Sequence, residues 1–236
     1  MILYWEYYLM GIILIPGIIF SIYAQMKVSG NFKKFNEAFS EDGRTSNEIV
    51  RTFLDTAGLQ DIQIVRTGGH LSDHYNHRKK TIALSDSVYD NSSIAAIGVA
   101  CHELGHALQY KSNYFPIKLR NFIIPICNFT NSTLWYLIVF GAIFYYLPIG
   151  MTFLWIGVGV FALSVLLNLI TLPIEYNASK RAIKMLETAE ILQPDEIDGA
   201  KKVLNSAALT YVAGLVVSIL NLIRLLLVVL SRRRRD

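Results

Sequence analysis

Long apolar blocks alternate with polar segments along the 236-residue chain. A helix needs about 20 apolar residues to cross the hydrocarbon core of a bilayer, and four blocks are long enough. They cover residues 2–24, 122–147, 149–173 and 207–230. The pattern predicts a mainly α membrane protein with about four transmembrane or membrane-embedded helical segments. The first block lacks a basic leading segment and a clear cleavage site, so we expect a retained anchor rather than a signal peptide.

The polar segment between the first two blocks predicts a small α+β region with a few short strands. FNEAFS (35–40) and SNEIVRTFLDTAGL (46–59) have the hydrophobic periodicity of amphipathic helices, and Gly58 is a stop signal. IQIVRT (62–67) and KTIALSD (80–86) are typical of strands. An exposed strand edge beside a helix would hold an extended peptide by its backbone.

The stretch VACHELGHALQY (99–110) contains the pattern H-E-x-x-H within a predicted helix over residues 92–111. His102 and His106 are four residues apart, so both imidazoles leave one face of that helix. This spacing is typical of a zincin-like site, where two histidines bind zinc and Glu103 works on a water. A catalytic zinc needs a third protein ligand and leaves its fourth position to water.

Membrane topology predicts Glu175 as that third ligand. The second and third apolar blocks are separated by a single proline, so they form a hairpin that returns the chain to the side it left. Residues just after the hairpin therefore emerge on the same face as the H-E-x-x-H helix. The first acidic residue there is Glu175, in ITLPIEYNASKRA, at the start of a predicted helix that would lie against the membrane.

Other side chains compete for the role of third ligand. The alternatives are His70, His74, His77, Glu187 and Glu190. The histidines have no metal-binding spacing and are typical of polar loops, although they could line the cleft or bind a second metal. The two glutamates are typical of solvated helix charges. A metzincin is excluded, because Gln109 and Ser112 stand at the positions of its glycine and third histidine.

These residues predict a gluzincin-like zinc metallopeptidase with one Zn²⁺ per chain, bound by His102, His106 and Glu175. Glu103 would accept the proton of the attacking water as general base and pass a proton to the leaving amine. Gly105 either permits the close approach of a helix or substrate, or is a mildly unfavourable helix residue. The candidates for stabilising the oxyanion are His74, Tyr176, Asn177 and Arg181.

The predicted segments divide the chain into five parts. They are a transmembrane anchor (1–24), a catalytic region with the H-E-x-x-H helix (25–121), a transmembrane hairpin (122–173), a second catalytic segment with the third ligand (174–206), and a C-terminal membrane segment with a basic tail (207–236).

Composition and charge agree with a membrane protein. The chain is 53% hydrophobic and 17% charged, whereas about a quarter of residues are charged in soluble domains. The net charge of +4 arises where basic residues flank apolar blocks, which favours a membrane surface over nucleic acid. We therefore expect the lipid bilayer and protein or peptide substrates as partners, and no nucleic acid. Neither Cys101 nor Cys127 lies in a C-x-x-C pair, so no disulfide framework is expected.

The basic residues also predict the side of the membrane. Twelve lie in residues 25–121 and five in 174–206, against none in the first block. The positive-inside rule places both site-bearing segments in the cytoplasm, and we expect the membrane to be that of a bacterial cell. The last block either spans, which would put the arginine run 232–235 outside, or is re-entrant or interfacial with Arg224 at its edge.

Three stretches resemble a known family. They are LSDHYNHRKKTIALSDSVYDNSSIAAIGVACHELGHALQY (71–110), LPIEYNASKRA (172–182) and AALTYVA (207–213). Together they are similar to the bacterial YugP-like family of membrane neutral zinc metallopeptidases, and the resemblance covers nearly the whole chain. It implies that His102 and His106 bind zinc, that Glu103 is the catalytic glutamate, and that Glu175 is the acidic residue of the second motif.

A more distant likeness is to the HtpX and CAAX prenyl protease group. Those proteins place a ligand glutamate in an E-x-x-A-D motif after a membrane hairpin. Here the motif ends in Ser179 instead of aspartate, so their arrangement of residues behind the ligand does not carry over directly. Their substrates do not carry over either.

Two rival functions stay open beside a zinc endopeptidase acting at the membrane surface. A site-2-type intramembrane protease would place H-E-x-x-H inside a span, but residues 94–110 are short for one and are flanked by Asp90 and Lys111. A non-enzymatic membrane scaffold would hold a structural zinc with a fourth protein ligand, for which His74 is the candidate.

Overall fold

The computed structural model describes residues 11–69, 71–144 and 147–233, and these form six helices and three strands. The helices are α1 (Ile15–Asn36), α2 (Ser46–Thr56), α3 (Ile94–Lys111), α4 (Phe115–Ile143), α5 (Pro148–Thr188) and α6 (Pro194–Arg233). The strands are β1 (Gln63–Thr67), β2 (His74–Asn76) and β3 (Thr81–Ser85). The alternative ligand His70, the start of the predicted anchor and the end of the arginine run lie outside the described residues.

One compact unit consists of Ala24–Ile117 and Pro173–Leu209, and we call it the α+β unit. Its sheet has the order β1–β3–β2, with β1 parallel and β2 antiparallel to β3. Helix α3 lies against α2, β2 and β3. The core of the unit buries Ile97 and Leu104 of α3 together with Leu84 of β3. The H-E-x-x-H helix is therefore the central helix of this unit.

Local signals set the ends of the short helices, and the predicted stop signal at Gly58 is confirmed. Thr45 and Glu48 form a capping box at the start of α2, where the Thr45 N–H donates to Glu48 Oε2 at 2.8 Å. The helix stops just before Gly58, which adopts the left-handed φ of +65° that favours glycine. Ser93 caps α3 by accepting a hydrogen bond from the Ala96 N–H at 3.2 Å.

The sheet partly follows the prediction. The two predicted strands are confirmed as β1 and β3, whereas β2 has only three residues and carried no strand signal. The predicted helix at 35–40 is wrong, because α1 ends at Asn36. The following backbone pairs instead with the start of α3: the Ser40 N–H donates to Ser92 O, and the Ile94 N–H donates to Ala38 O.

The described residues within Met1–Tyr23, Lys118–Leu172 and Thr210–Asp236 form a second unit, which we call the apolar unit. Helices α5 and α6 are long and apolar enough to cross a membrane, and the two halves of α4, bent by 43°, form a third candidate span if they act as one. The expected four membrane segments are therefore not supported by the described residues. The described part of the first block begins at residue 11. The charged Lys27 follows before this part is about 20 residues long, the length that a helix needs to cross a bilayer.

Helices α5 and α6 also run past their predicted limits. Helix α5 continues through Pro173 to Thr188, so Glu175 does not begin a new helix. A proline removes one backbone donor but is tolerated within apolar membrane helices, and no N-cap side chain directly precedes it. Helix α6 is unbroken across residues 207–230, which does not fit a re-entrant block. Helix α5 ends at Thr188 and helix α6 begins at Pro194, and the five-part domain division stays a prediction.

Candidate metal centre

Helices α3 and α5 bring together the three side chains predicted as metal ligands. One potential ligand atom from each of His102, His106 and Glu175 lies within 4.8 Å of the other two. Glu175 Oε2 is 3.3 Å from His102 Nε2 and 3.5 Å from His106 Nε2. Within the described part of the chain, this group includes neither His74 and His77 nor the glutamates of the α5 C-terminus.

The donor set fits a zinc ion. Nitrogen and oxygen ligands bound at 2.0–2.2 Å around a tetrahedral zinc lie about 3.3–3.5 Å from one another. Glu175 is only 3% exposed, and its Oε2 makes no hydrogen bond although two imidazole nitrogens are near. A buried carboxylate oxygen without a partner is costly, so a cation between these three side chains would satisfy it.

The electrostatics of the cluster keep Glu175 ionised. Burial alone raises the pKa of Glu175, but His102 and His106 outweigh it and hold that pKa well below its usual range. Burial lowers the pKa of His106, and the opposing effects of Glu175 and Glu103 leave it raised. The cluster is therefore arranged around a negative charge, which a divalent cation would neutralise.

Gly105 allows α3 and α5 to meet at the backbone. A Cβ atom at this position would lie 2.5 Å from the carbonyl oxygen of Ala178 and 3.1 Å from its Cα. No real side chain accepts that distance, and a backbone carbonyl cannot move aside without displacing its helix. Gly105 therefore permits the close helix approach that places Glu175 beside the two histidines.

Polar side chains hold the far edge of each imidazole. His102 Nδ1 is 3.0 Å from Ser179 Oγ, and His106 Nδ1 is 3.0 Å from Gln109 Oε1. Ser179 and Gln109 thus each place a hydrogen-bonding group behind one histidine. Gln109 was missed as a functional residue in the sequence. Its signal was its position three residues after His106, which puts both on one helix face.

The other predicted site residues differ in their hydrogen bonds and in their exposure. Arg181 Nε donates to Asn177 Oδ1 at 2.8 Å, and Arg181 Nη2 donates to Ser112 Oγ at 3.1 Å. Tyr176 is 44% exposed, and His74 is an exposed residue of β2 whose Nδ1 lies 2.9 Å from Ser72 O. Glu103 is 8% exposed and directly follows the first histidine on α3.

Two features flank the cluster within the α+β unit. Tyr176 and Ser179 line a groove of about 640 Å³ between α5 and α6. On α3, one turn after His106, the ring of Tyr110 stacks on His77 with centroids 4.0 Å apart. His77 therefore has a packing role, and the groove offers space beside the cluster.

Comparison with known proteins identifies the family. The sequence model of a family described as "Putative neutral zinc metallopeptidase" matches residues 10–230. The chain is 38% identical over 213 residues to "Putative membrane protease YugP" of Bacillus subtilis, covering 90% of this chain and 93% of that protein. No solved structure matches. Family membership implies zinc as the metal, and the long apolar helices fit a membrane protein. The chain belongs to the neutral zinc metallopeptidase family.

Proposed function

We propose that this protein is a membrane-bound endopeptidase that hydrolyses peptide bonds of protein or peptide substrates at the membrane surface. The observation that carries the proposal is the buried Glu175 Oε2, which lies beside two imidazole nitrogens and has no hydrogen-bond partner. One zinc per chain, held by His102, His106 and Glu175, accounts for that atom. Three protein ligands leave one tetrahedral position for water, as catalysis requires.

Zinc supplies Lewis acidity, which lowers the pKa of water toward neutrality and polarises the scissile carbonyl. The remaining chemistry belongs to Glu103, which follows His102 directly on α3. Its carboxylate accepts a proton from the attacking water and then delivers a proton to the nitrogen of the leaving amine. Because Glu103 is nearly buried, little bulk water competes for that proton.

The hydrogen bonds of the site favour two of the four oxyanion candidates. Asn177 and Arg181 already use polar atoms on each other and on neighbouring side chains. Tyr176 has an exposed ring that lines the groove, and His74 has an exposed ring on β2, where its Nδ1 lies 2.9 Å from Ser72 O. We therefore propose Tyr176 or His74 for the stabilisation of the oxyanion.

We also propose that the protein lies in a bacterial cell membrane with its site in the cytoplasm. The similar protein of Bacillus subtilis is named as a membrane protease. The basic residues cluster in the two polar segments that carry the site, which the positive-inside rule places in the cytoplasm.

The rival functions have less support. Helix α3 packs against α2 and the sheet within the α+β unit, which does not favour a site-2-type arrangement in which this helix spans the membrane. A scaffold with structural zinc needs a fourth protein ligand. The described residues bring no fourth histidine, cysteine or carboxylate into the cluster.

The test is zinc content and casein cleavage by the full chain purified in detergent. We expect about one zinc per wild-type chain. Glu103→Gln should retain zinc and lose cleavage, because the ligands remain while the proton acceptor is gone. Glu175→Ala should lose both. Glu187→Ala is the matched control, since it removes an exposed carboxylate of the same helix, paired with Lys201, and should retain both.

Three outcomes would contradict the proposal. Full zinc occupancy in Glu175→Ala would remove that residue from the ligand set. Cleavage retained by Glu103→Gln would remove the proton-transfer role. Tight zinc binding without cleavage of casein or of membrane-protein substrates by the wild type would favour the scaffold.

A further inference from the structure

Gln109 stands three residues after His106, where the metzincin motif has a glycine. Its side chain is completely buried. Its side chain makes three polar contacts. Oε1 lies 3.0 Å from His106 Nδ1, while Nε2 donates to Ile174 O at 2.7 Å and to Asn177 Oδ1 at 3.0 Å. One carboxamide thus links a predicted ligand of α3 to the backbone carbonyl directly before the predicted ligand Glu175.

The neighbours of Gln109 determine which of its two ends is the donor. A guanidinium only donates, so the 2.8 Å contact with Arg181 Nε makes the facing atom of Asn177 an acceptor. The Gln109 atom that faces both Asn177 Oδ1 and Ile174 O must therefore be the NH₂ group. The carbonyl end of Gln109 is then the atom that faces His106.

This orientation selects one tautomer of neutral His106. An amide oxygen only accepts, so Nδ1 must carry the ring proton. The lone pair of the neutral imidazole then lies on Nε2, the atom 3.5 Å from Glu175 Oε2. His102 differs, because the Ser179 hydroxyl beside its Nδ1 can donate or accept and does not select a tautomer.

We propose that Gln109 is a positioning residue that fixes the metal-binding tautomer of His106 and ties that imidazole to the helical turn carrying Glu175. The inference rests on the proposed metal site and extends it to a residue outside the H-E-x-x-H pattern. Arg181 and Asn177 act through Gln109 by holding its amide in one orientation.

The test is the dissociation constant for zinc, measured on the detergent-purified full chain by competition with a chromophoric chelator. Gln109→Met keeps a side chain of similar length but removes the acceptor. Its zinc affinity should fall by about 10- to 100-fold, the usual effect of losing such an outer partner. The ¹⁵N chemical shifts of His106 in the zinc-free wild type, at a pH where the imidazole is neutral, should show the ring proton on Nδ1, and Gln109→Met should lose that preference.

A control separates positioning from structural support. Leu186→Ala removes buried packing of the same α5 helix without touching either histidine. It should lower the thermal stability of the zinc-free protein and leave the zinc dissociation constant of the folded fraction unchanged. If Gln109→Met acted only through stability, it would behave in the same way.

The outcomes distinguish this inference from the proposed function. A wild type without zinc binding overturns both. A wild type that binds zinc, together with an unchanged affinity in Gln109→Met, overturns only the role of Gln109. If Gln109→Met does not fold, the ¹⁵N shifts of the wild type decide: a protonated Nδ1 of His106 supports the inference, and a protonated Nε2 overturns it.

Discussion

The two units of the molecule treat their apolar residues in opposite ways. The α+β unit buries them in one core around α3. In the apolar unit the buried cluster consists of Leu154, Leu225 and Val229, while large side chains such as Trp135 and Phe129 are about 70% exposed. The α+β unit has the burial pattern of a protein in water, where burial of apolar surface drives folding. The apolar unit has the pattern expected in lipid, where burial of apolar surface does not drive folding.

Glycine shows the same difference. In the apolar unit, a Cβ at Gly157 would meet the tip of the Leu225 side chain at 3.1 Å, and that tip can rotate away. In the α+β unit, a Cβ at Gly105 would meet a backbone carbonyl. The contact at Gly157 therefore tolerates adjustment, whereas the candidate metal centre depends on one fixed contact between backbones.

The largest effect is expected from Gly105→Ala. The added methyl group would push α3 and α5 apart and separate Glu175 from the two histidines. We expect loss of zinc from the purified protein, measured by metal analysis, and a loss of stability of about 3 kcal/mol or more, as for severe overpacking.

Gly98→Ala is the matched control on the same helix. Its Cβ would meet Ala200 at 3.5 Å, an ordinary van der Waals distance. It should retain zinc and gain up to about 1 kcal/mol, because alanine favours the helix over glycine. Zinc retained at the wild-type level in Gly105→Ala would contradict the role assigned to the close helix approach.

The sequence indicated which three side chains lie together better than it indicated the elements that carry them. The H-E-x-x-H spacing needs only one helix, so it can be recognised locally. Glu175 was reached through a hairpin and a new helix after Pro173, yet α5 runs through that proline without a break. Glu175 lies beside the two histidines although the predicted local structure was wrong, because its prediction required only that the chain return near the first helix.

The missed features depend on contacts between distant parts of the sequence. Gln109 and Ile174 are 65 residues apart, and nothing in the local pattern indicates their hydrogen bond. Strand β2 forms because three residues pair with β3, not because they favour a strand. Gly105 left two readings open in the sequence, and only the position of Ala178 decides between them.

A smaller effect, confined to one unit, is expected from a pair of leucines on α5. Leu186 is fully buried in the α+β unit, and Leu169 is 49% exposed in the apolar unit. Leu186→Ala leaves a cavity and should cost about 2–5 kcal/mol. Leu169→Ala removes a methyl-rich surface that faces lipid or detergent, so its cost should be well under about 1 kcal/mol.

Thermal unfolding of both variants in the same detergent measures the difference. The two substitutions change helix propensity equally, so any gap between them reports packing alone. Equal destabilisation would mean that Leu169 is covered by protein, and the apolar unit would then resemble an ordinary core.

The smallest effect is expected from thiol modification of the native protein, because both cysteines are buried. Burial raises the pKa of Cys101 to about 12, so at pH 8 almost no reactive thiolate forms even where reagent penetrates. Unfolding returns the thiol to an ordinary pKa of about 8.5 and exposes it. Alkylation followed by mass spectrometry in increasing urea should therefore modify Cys101 in one step, when the α+β unit unfolds.

Cys127 should stay protected to higher urea, since its helix keeps its backbone hydrogen bonds inside the micelle. Modification of both cysteines at one urea concentration would show that the two units unfold together. The α+β unit and the apolar unit would then differ in how they bury apolar residues but not in their resistance to urea.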